Sequence, residues 1–258
     1  MKVVLFCGGM GTRLREHSDT IPKPLVNIGQ RPIIWQIMRF YAHFGHTDFI
    51  LCLGYRGDLI RQYFLEYNDY LDRDFVLSGG HPSLGDSKSD IADWNITFVD
   101  TGLHANIGQR LVAVREHVID EDVFLANYSD QVCDIAFDKY LDESLSQESV
   151  ASFLSVRPSQ SFHSVVADSS GKVTELVEID DCDFWINGGY FVLRREIFDY
   201  IQEGEELVVE PFARLASEGR LWTKKYPGFW KAMDTFKDKI TFDRMDGHRD
   251  RPWRVWDE

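Results

Sequence analysis

The residues best suited to chemistry stand near the start of the chain, where residues 7–24 read CGGMGTRLREHSDTIPKP. Gly8, Gly9 and Gly11 have no Cβ, so their backbone amides can close on phosphate oxygens. Thr12, Arg13 and Lys23 follow, the lysine held between Pro22 and Pro24. A Walker A loop would end in Gly-Lys-Ser/Thr, and this loop ends Gly11-Thr12-Arg13. A dinucleotide fingerprint would need a third glycine where Leu14 stands. A tight turn carrying ordinary surface cations also fits, and taken alone the loop leaves that reading ahead. Asp130 closes the run VFLANYSD and Asp234 stands in FWKAMDT. Each in isolation reads as a helix cap or a surface acid.

The elements that would position these groups alternate strand and helix. Residues 2–7, KVVLFC, form a short apolar run ended by glycine, the pattern of a buried parallel strand. A helix is expected over 31–45 with Ile34, Ile37, Met38 and Tyr41 on one face. A strand over 47–54 and a helix over 56–67 follow. Further strands are expected at 94–102, 123–130, 149–156 and 184–193, and helical segments near 194–202 and 209–219. This order predicts an α/β fold with a doubly wound, mostly parallel, Rossmann-like central sheet and a smaller β-rich part. Residues 79–93, rich in Gly, Ser and Asp, are expected to form a loop long enough to serve as a lid or a subunit contact. Neither repeat nor linker divides the chain. It reads as one domain over 1–258.

A net charge of -14 sets the surface against nucleic acid and anionic membrane, so neither is expected as a partner. An anionic small molecule would need local cations such as Arg13 and Lys23. Cys7, Cys52, Cys133 and Cys182 show no metal spacing and read as free thiols of a reducing compartment. With no secretory leader pattern and no membrane-length apolar run, the expected location is cytoplasmic.

GGMGTR, with Lys23 ten residues beyond the arginine in PKPLVNIGQRPII, resembles the signature of the nucleotidyltransferases that make nucleoside diphosphate sugars. GYRGDLIRQYF, WNITFVDTG, WINGGYFVL, EPFARLASEG and PGFWKAMDT carry the resemblance along the whole chain, closest to the glucose-1-phosphate cytidylyltransferases. The resemblance implies Mg²⁺-dependent transfer of a nucleoside monophosphate, CMP by preference, from CTP or another NTP to a phosphorylated small molecule. A sugar 1-phosphate is the first choice of acceptor, and pyrophosphate leaves. It implies nucleotide binding by Gly8, Gly9, Gly11, Thr12, Arg13, Gly54 and Arg110. Arg13 and Lys23 would be catalytic, and Asp130 and Asp234 would hold the metal. Acceptor binding would fall to Asn187, Gly188, Glu178 and Glu210, so that residues 1–135 would mainly bind nucleotide and 136–258 mainly bind acceptor and supply the second metal ligand. The family often assembles, so a homo-oligomer is compatible with the sequence.

The acceptor half departs from the family pattern. Where the family carries Glu-Lys-Pro this chain reads Glu178-Ile179-Asp180, and His163 stands at a family glycine. The family's Tyr-Gly-Asp reads Tyr128-Ser129-Asp130, and the second glycine before Arg110 is Gln109. Lys231 or His163 could supply the missing positive charge. Two alternatives follow. One is a cytidylyltransferase for a non-glucose or non-sugar phosphate or phosphonate. The other is a non-catalytic nucleotide-binding regulator, which retention of Arg13, Lys23, Asp130 and Asp234 argues against.

Overall fold

Val3, Val4, Leu5 and Phe6 form an unbroken apolar run, stable as a strand only where both faces are covered. They lie in β1 (Lys2–Phe6), inside a seven-stranded sheet of the computed structural model, which describes residues 1–9, 21–85, 88–158, 163–179 and 182–257. After β1 come the short hairpin β2 (Asn27–Ile28) and β3 (Arg31–Pro32), α1 (Ile33–His43), β4 (Asp48–Leu53) and α2 (Gly57–Leu65). A second hairpin, β5 (Val76–Ser78) and β6 (His81–Ser83), precedes β7 (Asn95–Asp100), α3 (Ile107–Ala113), α4 (Arg115–Val118), β8 (Val123–Asn127) and β9 (Gln131–Cys133). The chain continues through α5 (Phe137–Leu145), β10 (Ala151–Val156), β11 (His163–Ala167), β12 (Val173–Glu178) and β13 (Ile186–Arg194). It closes with α6 (Glu210–Ser217), β14 (Leu221–Tyr226), β15 (Trp230–Ala232) and α7 (Phe236–Gly247).

The sheet order is β14-β10-β13-β8-β1-β4-β7. All neighbours pair in parallel except at β13, which runs against β8 and β10. Alternation along β1 divides the core. Val3 and Leu5 face one cluster with Ile37, Tyr41, Ile60 and Phe137, while Val4 and Phe6 face the other with Leu111, Val118, Phe212 and Leu215. Helices thus cover both faces, as the alternating strand and helix pattern predicts.

Helix α1 begins after Pro32 and stops before Gly45, whose φ of 83° ends the turn. It is buried on most sides rather than one, because the C-terminal segment covers it. Trp253 donates its indole N–H to Gln36, and Trp256 meets Trp35 edge-on. The expected 79–93 loop instead contains strand β6. The segment near 194–202 is a 3-10 turn, Arg195–Asp199. The strand expected over 123–130 ends at Asn127, three residues early, for a reason that matters to the site.

His46 follows α1, with its ring 5.7 Å from that of Phe137 and its Nδ1 3.5 Å from the Met1 amino group. Burial, aided by that amino charge, lowers its pKa from 6.5 to about 4. The folded state therefore keeps the ring neutral where the unfolded chain would protonate it. This contribution to stability is complete above the ordinary histidine pKa of about 6.5 and is lost as pH falls towards the folded value. His46→Asn is expected to lose less melting temperature than wild type across that window. Equal losses in calorimetry would contradict the assignment.

Candidate active site

Asp130 owes its position to a backbone turn. Beyond β8 the chain reverses at Ser129, one of the few non-glycine residues with positive φ, at 66°. A left-handed conformation costs an L-residue roughly 1–2 kcal/mol. Two bonds offset that cost: the Ser129 hydroxyl donates to the Phe6 carbonyl at 2.7 Å, and its N–H donates to Asn127 Oδ1 at 2.8 Å. Asn127 is itself fully buried and donates to the Tyr41 hydroxyl. The turn leads into β9, which pairs antiparallel with β15, Gln131 opposite Ala232. The Met233 N–H donates to the Asp130 carbonyl at 2.8 Å. This short ladder brings Asp130 beside Asp234, though the two lie far apart in the chain.

Asp234 stands just before the N-cap of α7. Thr235 and Asp238 form a reciprocal capping box there, and Asp238 also accepts the Asp234 N–H. Lys23 enters from a 3-10 turn, Lys23–Leu25, with Pro22 before it and Pro24 within it. The prolines restrict the backbone on either side of the lysine. Its Nζ donates to Asp130 Oδ2 at 2.5 Å and to Asp234 Oδ1 at 2.6 Å. Burial draws the ammonium towards neutrality, but the two carboxylates outweigh it and hold its pKa above the usual lysine value. Burial pushes the Asp130 carboxyl upward, with Lys23 opposing and Asp234 adding to the push.

Two cavities meet the acid pair. Asp130 lines one of about 410 Å³ with Phe6, Gly9, Ala105, Tyr128 and Glu206. Asp234 lines another of about 160 Å³ with Pro158, Ile179, Phe184 and Trp230. The charged bridge through Lys23 therefore links a larger cavity of mixed polar and apolar lining, which Gly9 and Arg110 share, to a smaller, mostly apolar one. Cys7 is no nucleophile here, since burial pushes its thiol up to about 12.

Arg110 is buried and ties three strand ends together. Its guanidinium donates to the carbonyls of Gly8 and Leu53 at 3.1 and 3.2 Å, and to the Thr101 hydroxyl at 2.7 Å. A Cβ on Gly8 would fall 2.0 Å from Arg110 Nη1, and one on Gly54 would fall 2.8 Å from the Gly8 carbonyl and 2.9 Å from the same nitrogen. Gly8 and Gly54 thus make room for the arginine. Gly9, exposed and with open space at its Cβ position, lines the larger cavity. Gly11, Thr12 and Arg13 lie outside the described residues.

The acceptor-side candidates are more dispersed. His163 and Glu178 face each other in register across the β11–β12 hairpin, and both are exposed. Asn187 donates to the Tyr128 hydroxyl at 3.0 Å and accepts the Gly189 N–H at 2.8 Å. Gly188 packs against Val156, and its carbonyl accepts the Trp230 indole N–H at 2.9 Å. Glu210 is exposed at the start of α6, where it accepts the Glu206 N–H. Lys231 pairs with Asp238 at 3.2 Å and lies over the Phe242 ring. None of these six lines either cavity.

A sequence profile described as nucleotidyl transferase matches residues 2–226. Glucose-1-phosphate cytidylyltransferase of Salmonella typhi is 35% identical over 260 residues, covering 100% of both chains. The chain belongs to the nucleotidyl transferase family. A probable glucose-1-phosphate cytidylyltransferase of Bacillus subtilis is 33% identical, over 99% of this chain and 100% of its own. The solved structure of HddC from Yersinia pseudotuberculosis shares the fold with a TM-score of 0.67 at 19% identity, covering 95% of this chain and 99% of HddC. Kinship thus makes this protein an enzyme of nucleotidyl transfer, with the α/β fold of its neighbours.

A divalent ion fits this nucleotidyl transferase by donor chemistry. One cationic nitrogen already sits within hydrogen-bond distance of both carboxylates, so the two oxygens are at most 5.1 Å apart (2.5 plus 2.6 Å). No group of three or more His, Cys, Asp or Glu that could hold a metal occurs among the described residues. A pair of acids completed by water and phosphate oxygens is the donor set that suits Mg²⁺. Sequence reasoning missed Phe184, Ile186 and Trp230 as cavity walls. The signal was present in residues 230–232, where strand alternation turns Trp230 and Ala232 to one face and Lys231 to the other.

Two outcomes test this geometry. Ser129→Ala keeps the left-handed cost and loses the hydroxyl bond, whereas Ser129→Gly loses the bond but relieves the backbone. Urea unfolding is expected to rank glycine above alanine by about 1 kcal/mol. The reverse order would contradict the strain assignment. Gly8→Ala is expected to cost about 1–3 kcal/mol by overpacking against the guanidinium. That cost should shrink by at least about 0.5 kcal/mol in an Arg110→Ala background, a coupling expected of residues in contact. Equal costs in both backgrounds would place the clash elsewhere.

Proposed function

We propose that this nucleotidyl transferase moves CMP from CTP to a sugar 1-phosphate or related phosphorylated acceptor with the help of Mg²⁺, releasing pyrophosphate. The observation that carries the proposal is the Lys23 bridge. Its two carboxylates line different cavities, Asp130 the larger one beside Gly9 and Asp234 the smaller one. The preference for CTP and for a sugar acceptor rests on the cytidylyltransferase relatives, 35% and 33% identical along their full length.

In the proposed reaction an acceptor phosphate oxygen forms a bond to the α-phosphorus. The bond from that phosphorus to the bridging oxygen breaks, and pyrophosphate departs with the electron pair. Such a displacement asks the protein for alignment and charge neutralisation. Asp130 and Asp234 would hold Mg²⁺, which supplies charge stabilisation to phosphate oxygens when bound. Lys23, kept charged by the two acids, is proposed to neutralise the α-phosphate. The amides of Gly8, Gly9 and Gly11, with Thr12, are proposed to seat the triphosphate and Arg13 to grip the leaving pyrophosphate. Arg110 and Gly54 act beneath that seat by fixing the strand ends it grows from. Asn187 orients Tyr128, which lines the nucleotide-side cavity.

Pyrophosphate release, measured for four NTPs against a panel of phosphorylated acceptors, tests the reading. Release is expected only when an acceptor is present and fastest with CTP. Lys23→Ala is expected to lower kcat/KM by about 10²–10³-fold, the size typical of removing one preorganised donor. CTP binding without pyrophosphate from any acceptor would replace the transferase with a nucleotide-binding regulator.

A further inference from the structure

We infer that the acceptor presents methyl or methylene groups to the smaller cavity where a hexose would present hydroxyls. This rests on the reading of that cavity as the acceptor side of the transfer. Six of its eight wall residues are apolar: Pro158, Ile179, Phe184, Ile186, Trp230 and Ala232. The other two are Asp234, which faces Lys23, and Asp238. Asp238 already accepts the N–H and hydroxyl of Thr235 at 2.8 Å each and the Lys231 ammonium at 3.2 Å. The Trp230 indole N–H is spent on the Gly188 carbonyl. Apart from the Trp230 indole and the two carboxylates, no polar side chain among the described residues lines the cavity.

The groups that could have answered one are turned to other work. Asn187 binds Tyr128 and its own strand, and Glu178 lies exposed on the β11–β12 hairpin. Ile179 lines the cavity where the family carries lysine. A hydroxyl buried against the six apolar walls loses its water without gaining a partner, and among the described side chains only the two carboxylates could accept one. A methyl or methylene buried there is favourable, and the flat faces of Phe184 and Trp230 suit it. Two sources share this chemistry, a deoxysugar 1-phosphate and a short alkyl phosphate. In either the phosphate oxygen forms the new bond to the α-phosphorus of CTP, and pyrophosphate leaves as before.

The test compares glucose 1-phosphate, 6-deoxyglucose 1-phosphate and propyl phosphate as acceptors with CTP and Mg²⁺, read as pyrophosphate release. A hydrophobic pocket discriminates against an added hydroxyl by up to about 10²-fold, so one of the two deoxygenated acceptors is expected to exceed glucose 1-phosphate in kcat/KM by about 10–100-fold. Whichever leads identifies the source. Ile179→Ser is expected to shrink that ratio about tenfold while Ile179→Val retains it, methylene contacts being of that order. Calorimetric CTP binding confirms that each variant keeps its nucleotide half. Glucose 1-phosphate matching or beating both deoxygenated acceptors in wild type overturns the inference and leaves the transferase reading intact. Bound CTP with no pyrophosphate from any of the three overturns the inference and counts against that reading as well.

Discussion

The Lys23 ammonium between Asp130 and Asp234 is the constraint on which the site depends. Three partly buried charges are tolerable only together, since removing one partner leaves the others desolvated and uncompensated. Each arrives from a different part of the chain. A proline-bounded turn carries Lys23, the reversal at Ser129 carries Asp130, and the β9–β15 ladder with the α7 capping box carries Asp234. Folding and site assembly are therefore one event. The strain at Ser129 belongs to the same account, because it ends β8 early and turns the acid towards the lysine.

At Gly8 and Gly54, close packing is as important as phosphate access. Arg110 fills the space that side chains at Gly8 and Gly54 would take, and bonds the carbonyls of Gly8 and Leu53. A fixed cation bonded to both stiffens the strand ends that carry Gly8 and Leu53. It also places positive charge in the wall of the cavity proposed to hold a triphosphate, in a protein whose net charge is -14.

Much of this was legible in the sequence. Apolar runs marked β1 and β4, and helical spacing marked α2, because burial on defined faces leaves a periodic trace. Lys23, Asp130 and Asp234 were legible through motifs, and the structure brings all three to one point. Less legible were features set by tertiary partners. The β11–β12 hairpin is exposed, so its apolar and polar residues carry little pattern, and β9 and β15 are too short to show one. Arg110 lines the larger cavity, where the sequence reads it as a nucleotide contact, but no spacing reveals that its guanidinium also bonds the carbonyls of Gly8 and Leu53. Lys231, offered by the sequence as a source of the acceptor-side positive charge, pairs with Asp238 over the Phe242 ring, a partner its position on a three-residue strand does not reveal.

The central claim is that Asp130 and Asp234 serve one centre. It is tested most directly by kcat/KM for pyrophosphate release in Asp130→Asn, Asp234→Asn and the double variant. Groups that act as a unit give grossly non-additive losses. The account predicts large losses in each single variant and a double variant no worse than the poorer single. Losses that multiply, or a near wild-type rate in either single variant, would contradict it.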